Sequence, residues 1–142
     1  MNTLEKLLAA FSSRRRPTNF TDYTHCHECA DHNETLRSRD LDSLSFNDVG
    51  SVGYSPIGYI SLDGFLYYLP ALARLANATG DKYFLDTFLI YMENKEWRIA
   101  LTTSEREALV DYLVNLKISL ADEIQKNNDE RDLEELIEWF SD

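Results

Sequence analysis

Both cysteines and all three histidines of this 142-residue chain fall in one stretch, Thr24-His25-Cys26-His27-Glu28-Cys29-Ala30-Asp31-His32. Any thiol or zinc chemistry must therefore centre here. Cys26, Cys29 and His32 stand at i, i+3 and i+6. On a helix these positions lie about 60° apart in projection, so two thiolates three residues apart can share one ion. His32, about two turns from Cys26, joins them only if the first turn is loose or extended. Tetrahedral zinc takes four donors, and His25 or His27, a distant carboxylate, or water would complete the set. The second Cys pair of a conventional zinc motif is missing. The opposing reading is a pair of reduced, half-buried cysteines with surface histidines, since free Cys often packs as a small hydrophobe. Spacing alone weighs slightly toward that plainer reading.

Three other chemistries can be weighed against the residues. A C-x-x-C at a helix N-terminus can be redox-active, because the helix dipole favours thiolate. Glu28 and Asp31 beside the thiols are expected to raise their pKa and oppose that activation. Candidate acid–base residues are His25, His27, His32, Asp63 and Glu105, yet none sits in a nucleophile motif, a phosphate-binding glycine loop or H-E-x-x-H, so no catalytic residue is assigned. Finally, Tyr54, Tyr59, Phe65, Tyr67, Tyr68, Tyr83, Phe84, Phe88, Tyr91 and Trp97 crowd the middle of the chain. Tyrosine suits protein interfaces, although core packing with phenols at the rim accounts for such a cluster more simply.

The elements that must position these groups read as helices. Thr3 caps a short first helix carrying Leu4, Leu7, Leu8 and Phe11, and residues 12–17, with Arg14, Arg15 and Arg16, read as a solvated basic connector. Residues 19–23 are expected to be extended, and the Cys/His stretch opens a second helix running to about Arg39. Residues 44–56 read as loop with one turn of helix, and Tyr54, Ile57, Tyr59 and Ile60 as a short edge strand. Ser61 caps a strongly apolar helix over residues 62–77, where Pro70 predicts a kink or two abutting helices. Its phenols are expected to bond to loop backbone near residues 50–58. A helix over 82–92 follows. Thr102 and Glu105 have capping-box spacing, and Leu109, Tyr112, Leu113, Leu116 and Leu120 continue that helix toward Gln125. Leu133, Leu136, Ile137 and Phe140 form the seam of a last acidic helix. Strand alternation is nearly absent, so the fold class is all-α: a bundle of about five or six helices around a Pro-kinked central one. One domain is expected, with residues 1–19 as N-terminal helix and connector, 20–60 as the Cys/His segment, helix and loop, and 61–142 as the helical core.

The chain carries a formal charge of −11, with 44% hydrophobic and 12% aromatic residues. A chain of this length buries roughly 70% of its unfolded surface and needs no staple. The negative charge argues against direct phosphate contact with nucleic acid and against anionic lipid. No apolar run approaches the ~20 residues of a membrane span. The basic run follows the first apolar stretch where a signal peptide would have it precede, and two cysteines make no secreted disulfide framework, so a reducing cytoplasm is the expected compartment.

Three segments together resemble a known family: Cys26-x-Glu28-Cys29, then Phe65-x-Tyr67-Tyr68-Leu69-Pro70-Ala71-Leu72, then Leu101-Thr102-x-x-Glu105 at a helix start. They look like a family of small, mostly bacterial proteins catalogued as a domain of unknown function, over about residues 20–116. Asp63-Gly64 stands where that family tends to have Glu-Ala, and His32 is not part of its pattern. The resemblance implies no activity. It implies that the cysteine pair and the Tyr-Tyr-Leu-Pro helix belong to one architecture. The functional expectation is a non-enzymatic binding or regulatory module with a protein partner and a structural zinc site, drawn from Cys26, Cys29, His32, His25 and His27, that ties the start of the second helix to the core. The alternative is a metal- or thiol-dependent enzyme.

Overall fold

The computed structural model describes residues 1–141. Among them are nine α-helices: α1 (Thr3–Ala10), α2 (His27–Arg37), α3 (Phe46–Val49), α4 (Leu62–Leu75), α5 (Leu85–Tyr91), α6 (Lys95–Ile99), α7 (Thr103–Ser119), α8 (Ala121–Lys126) and α9 (Glu130–Ser141). The all-α class is borne out. The helix count exceeds five or six because short helices such as α6 and α8 stand apart, while α3 is the one helical turn expected within residues 44–56. The expected edge strand is absent among the described residues. Residues 52–54 and 56–58 form two 3₁₀ turns, and a single bridge joins Thr21 to Ile60. The 82–92 helix is likewise shorter, a 3₁₀ turn at Gly80–Lys82 preceding α5.

Local caps decide several boundaries. Asn2, not Thr3, caps α1: its side chain takes the Glu5 N–H, and Glu5 returns to the Asn2 N–H. Thr102 and Glu105 form the expected capping box of α7, which stops at Leu120 so that α8 is a separate helix. α4 runs unbroken through Pro70. The ring removes the bond that its nitrogen would give to the Leu66 carbonyl, at a cost of about 3 kcal/mol in an ordinary helix interior. Phe65, Leu66, Leu69 and Leu72 are each 2% exposed or less, and burial of such side chains contributes roughly 2 kcal/mol apiece, enough to offset the proline.

α7 lies between α1 and α9, α1 also touches α4, and α4 carries α5 and α6. Leu109, Tyr112, Leu113 and Leu116 face inward from α7, as do Leu133, Leu136 and Phe140 from α9. Buried phenols tie the layers together. The Tyr112 hydroxyl donates to the Ala73 carbonyl at 2.6 Å. The Tyr91 hydroxyl donates to the Val49 carbonyl at 2.7 Å and meets Ser55 Oγ at 2.6 Å. The Tyr68 hydroxyl lies 2.5 Å from the Leu36 carbonyl and 2.8 Å from that of Arg39. Tyr68 of α4 therefore secures the end of α2, Tyr67 accepts from Arg16, and Tyr91 of α5 reaches the 49–55 loop.

The basic connector is not simply solvated. Arg14 grips Glu105 through Nε–Oε2 (2.8 Å) and Nη2–Oε1 (2.6 Å), and also donates to the Ala100 carbonyl at 3.0 Å. The Glu105 side chain is 2% exposed and that of Arg14 26%. Burial pushes the Glu105 carboxyl up, but Arg14 and the Thr102 N–H outweigh it and hold the carboxyl below its ordinary 4.5. A lowered carboxyl pKa contributes stability above its unfolded value, lost as pH falls through the folded one. Arg14→Met should cost roughly 2–3 kcal/mol in urea unfolding at pH 7, less than a fully buried pair because Arg14 keeps some water. The difference from wild type should shrink below pH 4.5 as Glu105 protonates. A loss at pH 7 of under about 1 kcal/mol, the range of a solvated pair, would show that Glu105 needs no partner.

Candidate metal centre

The Cys/His stretch is held from one side by an extended segment. Asn33, one turn past Cys29 on α2, accepts the backbone N–H of Phe20 at 2.7 Å and of Thr21 at 3.2 Å through Oδ1, and donates to Asn19 Oδ1 at 2.9 Å. Thr21 Oγ1 donates to the Cys29 carbonyl at 2.6 Å. The Phe20 carbonyl takes the Ser61 N–H at 2.7 Å, which ties this segment to the start of α4. The approach is so close that a Cβ on Gly64 would lie 2.9 Å from Ile60 Cγ1 and 3.0 Å from Phe20 Cδ1. Asp22 then accepts from Thr24 Oγ1 at 2.7 Å, and its carbonyl takes the His25 N–H at 3.1 Å. This turn delivers the chain to α2 with Cys26 as N-cap, φ −163° and ψ 170°.

A cysteine at the N-cap replaces the usual oxygen acceptor with sulfur: Cys26 Sγ takes the Cys29 N–H at 3.2 Å. The same geometry sets the two sulfurs 2.9 Å apart as free thiols. His25 Nδ1 lies 3.5 Å from Cys29 Sγ, and the three donor atoms all fall within 4.8 Å of one another. Cys26 and His25 are exposed, while Cys29 is 4% exposed. An S₂N donor set of this size could hold a metal ion.

The two thiols are not equivalent. Hydrogen bonds from the Cys29 thiol and N–H, then the His25 ring, bring Cys26 down from 9.0 to about 7. Sharing that hydrogen bond, together with burial and the nearby Asp22 and Glu28 carboxylates, pushes Cys29 up to about 11. The Cys26 sulfur in turn raises His25. The expectation that carboxylates would disarm both thiols therefore fails for Cys26. Glu28 acts on the inner sulfur, and the outer one is governed by the amide and thiol that point at it.

Of the five residues predicted as ligands, His25, Cys26 and Cys29 come together. His27 is the exposed first residue of α2. His32 lies one further turn along the helix, a rise of about 4.5 Å from Cys29. Its ring is buried against Tyr54 at 4.7 Å between centroids and against Tyr59, stacked at 5.1 Å. Its Nε2 has no hydrogen-bond partner among the described residues and lies 3.5 Å from Glu28 Oε1. The sequence reading missed this aromatic clasp, whose residues sit more than twenty positions downstream, and the Asp22 turn. Glu28, with burial and the two sulfurs adding to its effect, raises the Tyr59 phenol. The remaining acid–base candidates stand elsewhere: Glu105 is bound to Arg14, and Asp63 is exposed in the first turn of α4.

In reduced, chelator-treated protein, iodoacetamide should label Cys26 first, with a rate half-maximal near pH 7, and Cys29, buried and pushed up by its neighbour, only in a slower second phase. Thiolate is the reacting form, so the rate rises with pH through each value. Equal labelling of both residues, with a common midpoint near 9.0, would contradict the asymmetry.

No protein-family model, no curated protein and no solved structure matches the chain.

Proposed function

We propose that the protein is a small acidic helical binding module whose His25, Cys26 and Cys29 hold a zinc ion, with a fourth position open to water or to a partner protein. The supporting observation is the convergence of two sulfurs and one imidazole nitrogen within 4.8 Å. Two thiolates and a neutral imidazole balance the charge of Zn²⁺, and both donor types suit it. Zn–S bonds of about 2.3 Å in a tetrahedron place two sulfurs roughly 3.8 Å apart, so the pair at 2.9 Å must open by roughly 0.9 Å. Cys26, exposed and outside the helix proper, is the sulfur free to make that move.

All three donors lie between residues 25 and 29, so the ion braces the turn that opens α2 and links no distant elements. Its exposure on the His25 and Cys26 side suits a site that a partner's donor completes. With no helix among the described residues long and apolar enough to cross a membrane, and a charge of −11, a protein partner fits better than lipid or nucleic acid. The resemblance to the small bacterial family agrees with a shared role for the C-x-E-C segment, and a reducing cytoplasm would keep its thiols available for metal.

Untagged protein should carry close to one equivalent of zinc by elemental analysis. Cobalt(II) should substitute for it with thiolate-to-metal charge-transfer absorption that Cys29→Ser abolishes. Chelation should scarcely move the global unfolding midpoint, because the clip is local. Less than about a tenth of an equivalent, with both thiols freely reactive, would sink the zinc reading.

A further inference from the structure

We propose that, whenever no metal holds it, the Cys26–Cys29 pair is a redox-active dithiol that exchanges with small neutral or cationic disulfides, Cys26 attacking and Cys29 resolving. This chemistry needs no zinc and goes beyond the metal reading.

Three geometric features divide the labour between the sulfurs. Cys26 is exposed, and its sulfur receives a backbone N–H at the N-terminus of an eleven-residue helix, a fixed dipole that favours sulfur as an anion. Cys29 is 4% exposed, so an incoming disulfide meets Cys26 first. The 2.9 Å separation then leaves the inner sulfur within about 1 Å of the ~2.05 Å disulfide bond length, so it can attack Cys26 with little rearrangement.

The steps balance. The Cys26 thiolate attacks one sulfur of R–S–S–R, forming Cys26–S–S–R and expelling RS⁻. Cys29 gives its proton to that thiolate, which leaves as RSH. The Cys29 thiolate then attacks Cys26 Sγ, breaking the mixed disulfide and releasing a second RS⁻. Two electrons pass from the protein dithiol to the substrate disulfide, and the protein retains a Cys26–Cys29 bond. The surroundings choose the substrate: the Asp22 and Glu28 carboxylates act on the inner sulfur, and the whole chain carries a charge of −11. An anionic disulfide such as that of glutathione is repelled, and a cationic one such as cystamine is drawn in.

The test uses full-length reduced protein in chelator, with cystamine and glutathione disulfide as probes and intact mass as readout. Wild type should lose both thiols together, falling in mass by two hydrogens and accumulating no adduct. Cys29→Ser should trap a stable cysteamine adduct on Cys26, and Cys26→Ser should react roughly tenfold more slowly or less. Cystamine should outpace glutathione disulfide by roughly tenfold, relative to their rates with free cysteine, and high salt should erase that preference. Should either variant misfold by circular dichroism, the wild-type product still decides. A stable adduct on wild type, or oxidation no faster than that of an unstructured peptide of residues 22–32, would overturn the proposal. Because chelator is present throughout, this result is independent of whether the protein binds zinc.

Discussion

The buried amide of Asn33 sets the geometry on which the Cys/His site depends. Its Oδ1 receives two consecutive backbone N–H groups, those of Phe20 and Thr21, from a segment that has no sheet to satisfy them. A buried donor left unpaired costs about 1–3 kcal/mol, so this one side chain answers for two such costs. Thr21 completes the exchange by donating to the Cys29 carbonyl. The need for polar anchorage follows from composition: α2 buries only Cys29, His32, Asn33 and Leu36. So narrow an apolar stripe cannot by itself fix a helix against the core. The far end is held in the same manner. Arg16 donates to the carbonyls of Leu36, Arg37 and Arg39 while its guanidinium lies over the rings of Phe20 and Tyr67. A cation there satisfies the last carbonyls of α2 and opposes the negative end of its dipole.

Those anchors explain which parts of the fold are legible in the chain. Caps and apolar seams are local, and most are legible: Ser61 and Thr102 begin α4 and α7 as expected, Asn2 takes the place of Thr3 at α1, and Leu109, Tyr112, Leu113 and Leu116 of α7 and Leu133, Leu136 and Phe140 of α9 are buried as their spacing requires. The arginine run is misread as wet because its partners are remote, Glu105 lying 91 positions from Arg14. Nothing within a few residues of Arg14 distinguishes a buried ion pair from a solvated charge. The alternative of two abutting helices at Pro70 fails for a related reason. Local chemistry sees the lost hydrogen bond, whereas the compensating burial of Phe65, Leu66, Leu69 and Leu72 is supplied by the rest of the core.

The site divides in the same way. Cys26, Cys29 and His25 are neighbours in sequence, so an N-cap and one helical turn suffice to bring them together. His32 shares their helix, and periodicity alone counts it as a fellow ligand. The tyrosines that hold its ring arrive from the 54–59 loop, whose two 3₁₀ turns have no periodic signature. The same long-range packing places Glu28 against His32 and Tyr59, away from the outer sulfur. Counting carboxylates along the chain therefore predicts the wrong sign for Cys26 and the right one for Cys29.

A separation of 2.9 Å between the sulfurs is informative because it suits neither bonded state outright. It lies about midway between the ~2.05 Å of a disulfide and the roughly 3.8 Å of two thiolates on one zinc ion. Roughly 0.9 Å of motion by the exposed, N-capping Cys26 reaches either state while Cys29 stays buried, its carbonyl held by Thr21. The two states exclude each other. A metal takes up the lone pairs that would attack a disulfide, and a disulfide removes both anionic ligands, leaving only His25. Occupancy and oxidation state would then be read from one coordinate, the position of the Cys26 side chain. That side chain sits at the surface of an acidic protein, whereas the Cys29 sulfur is buried, so a partner or a small disulfide of the kind proposed would meet Cys26 first.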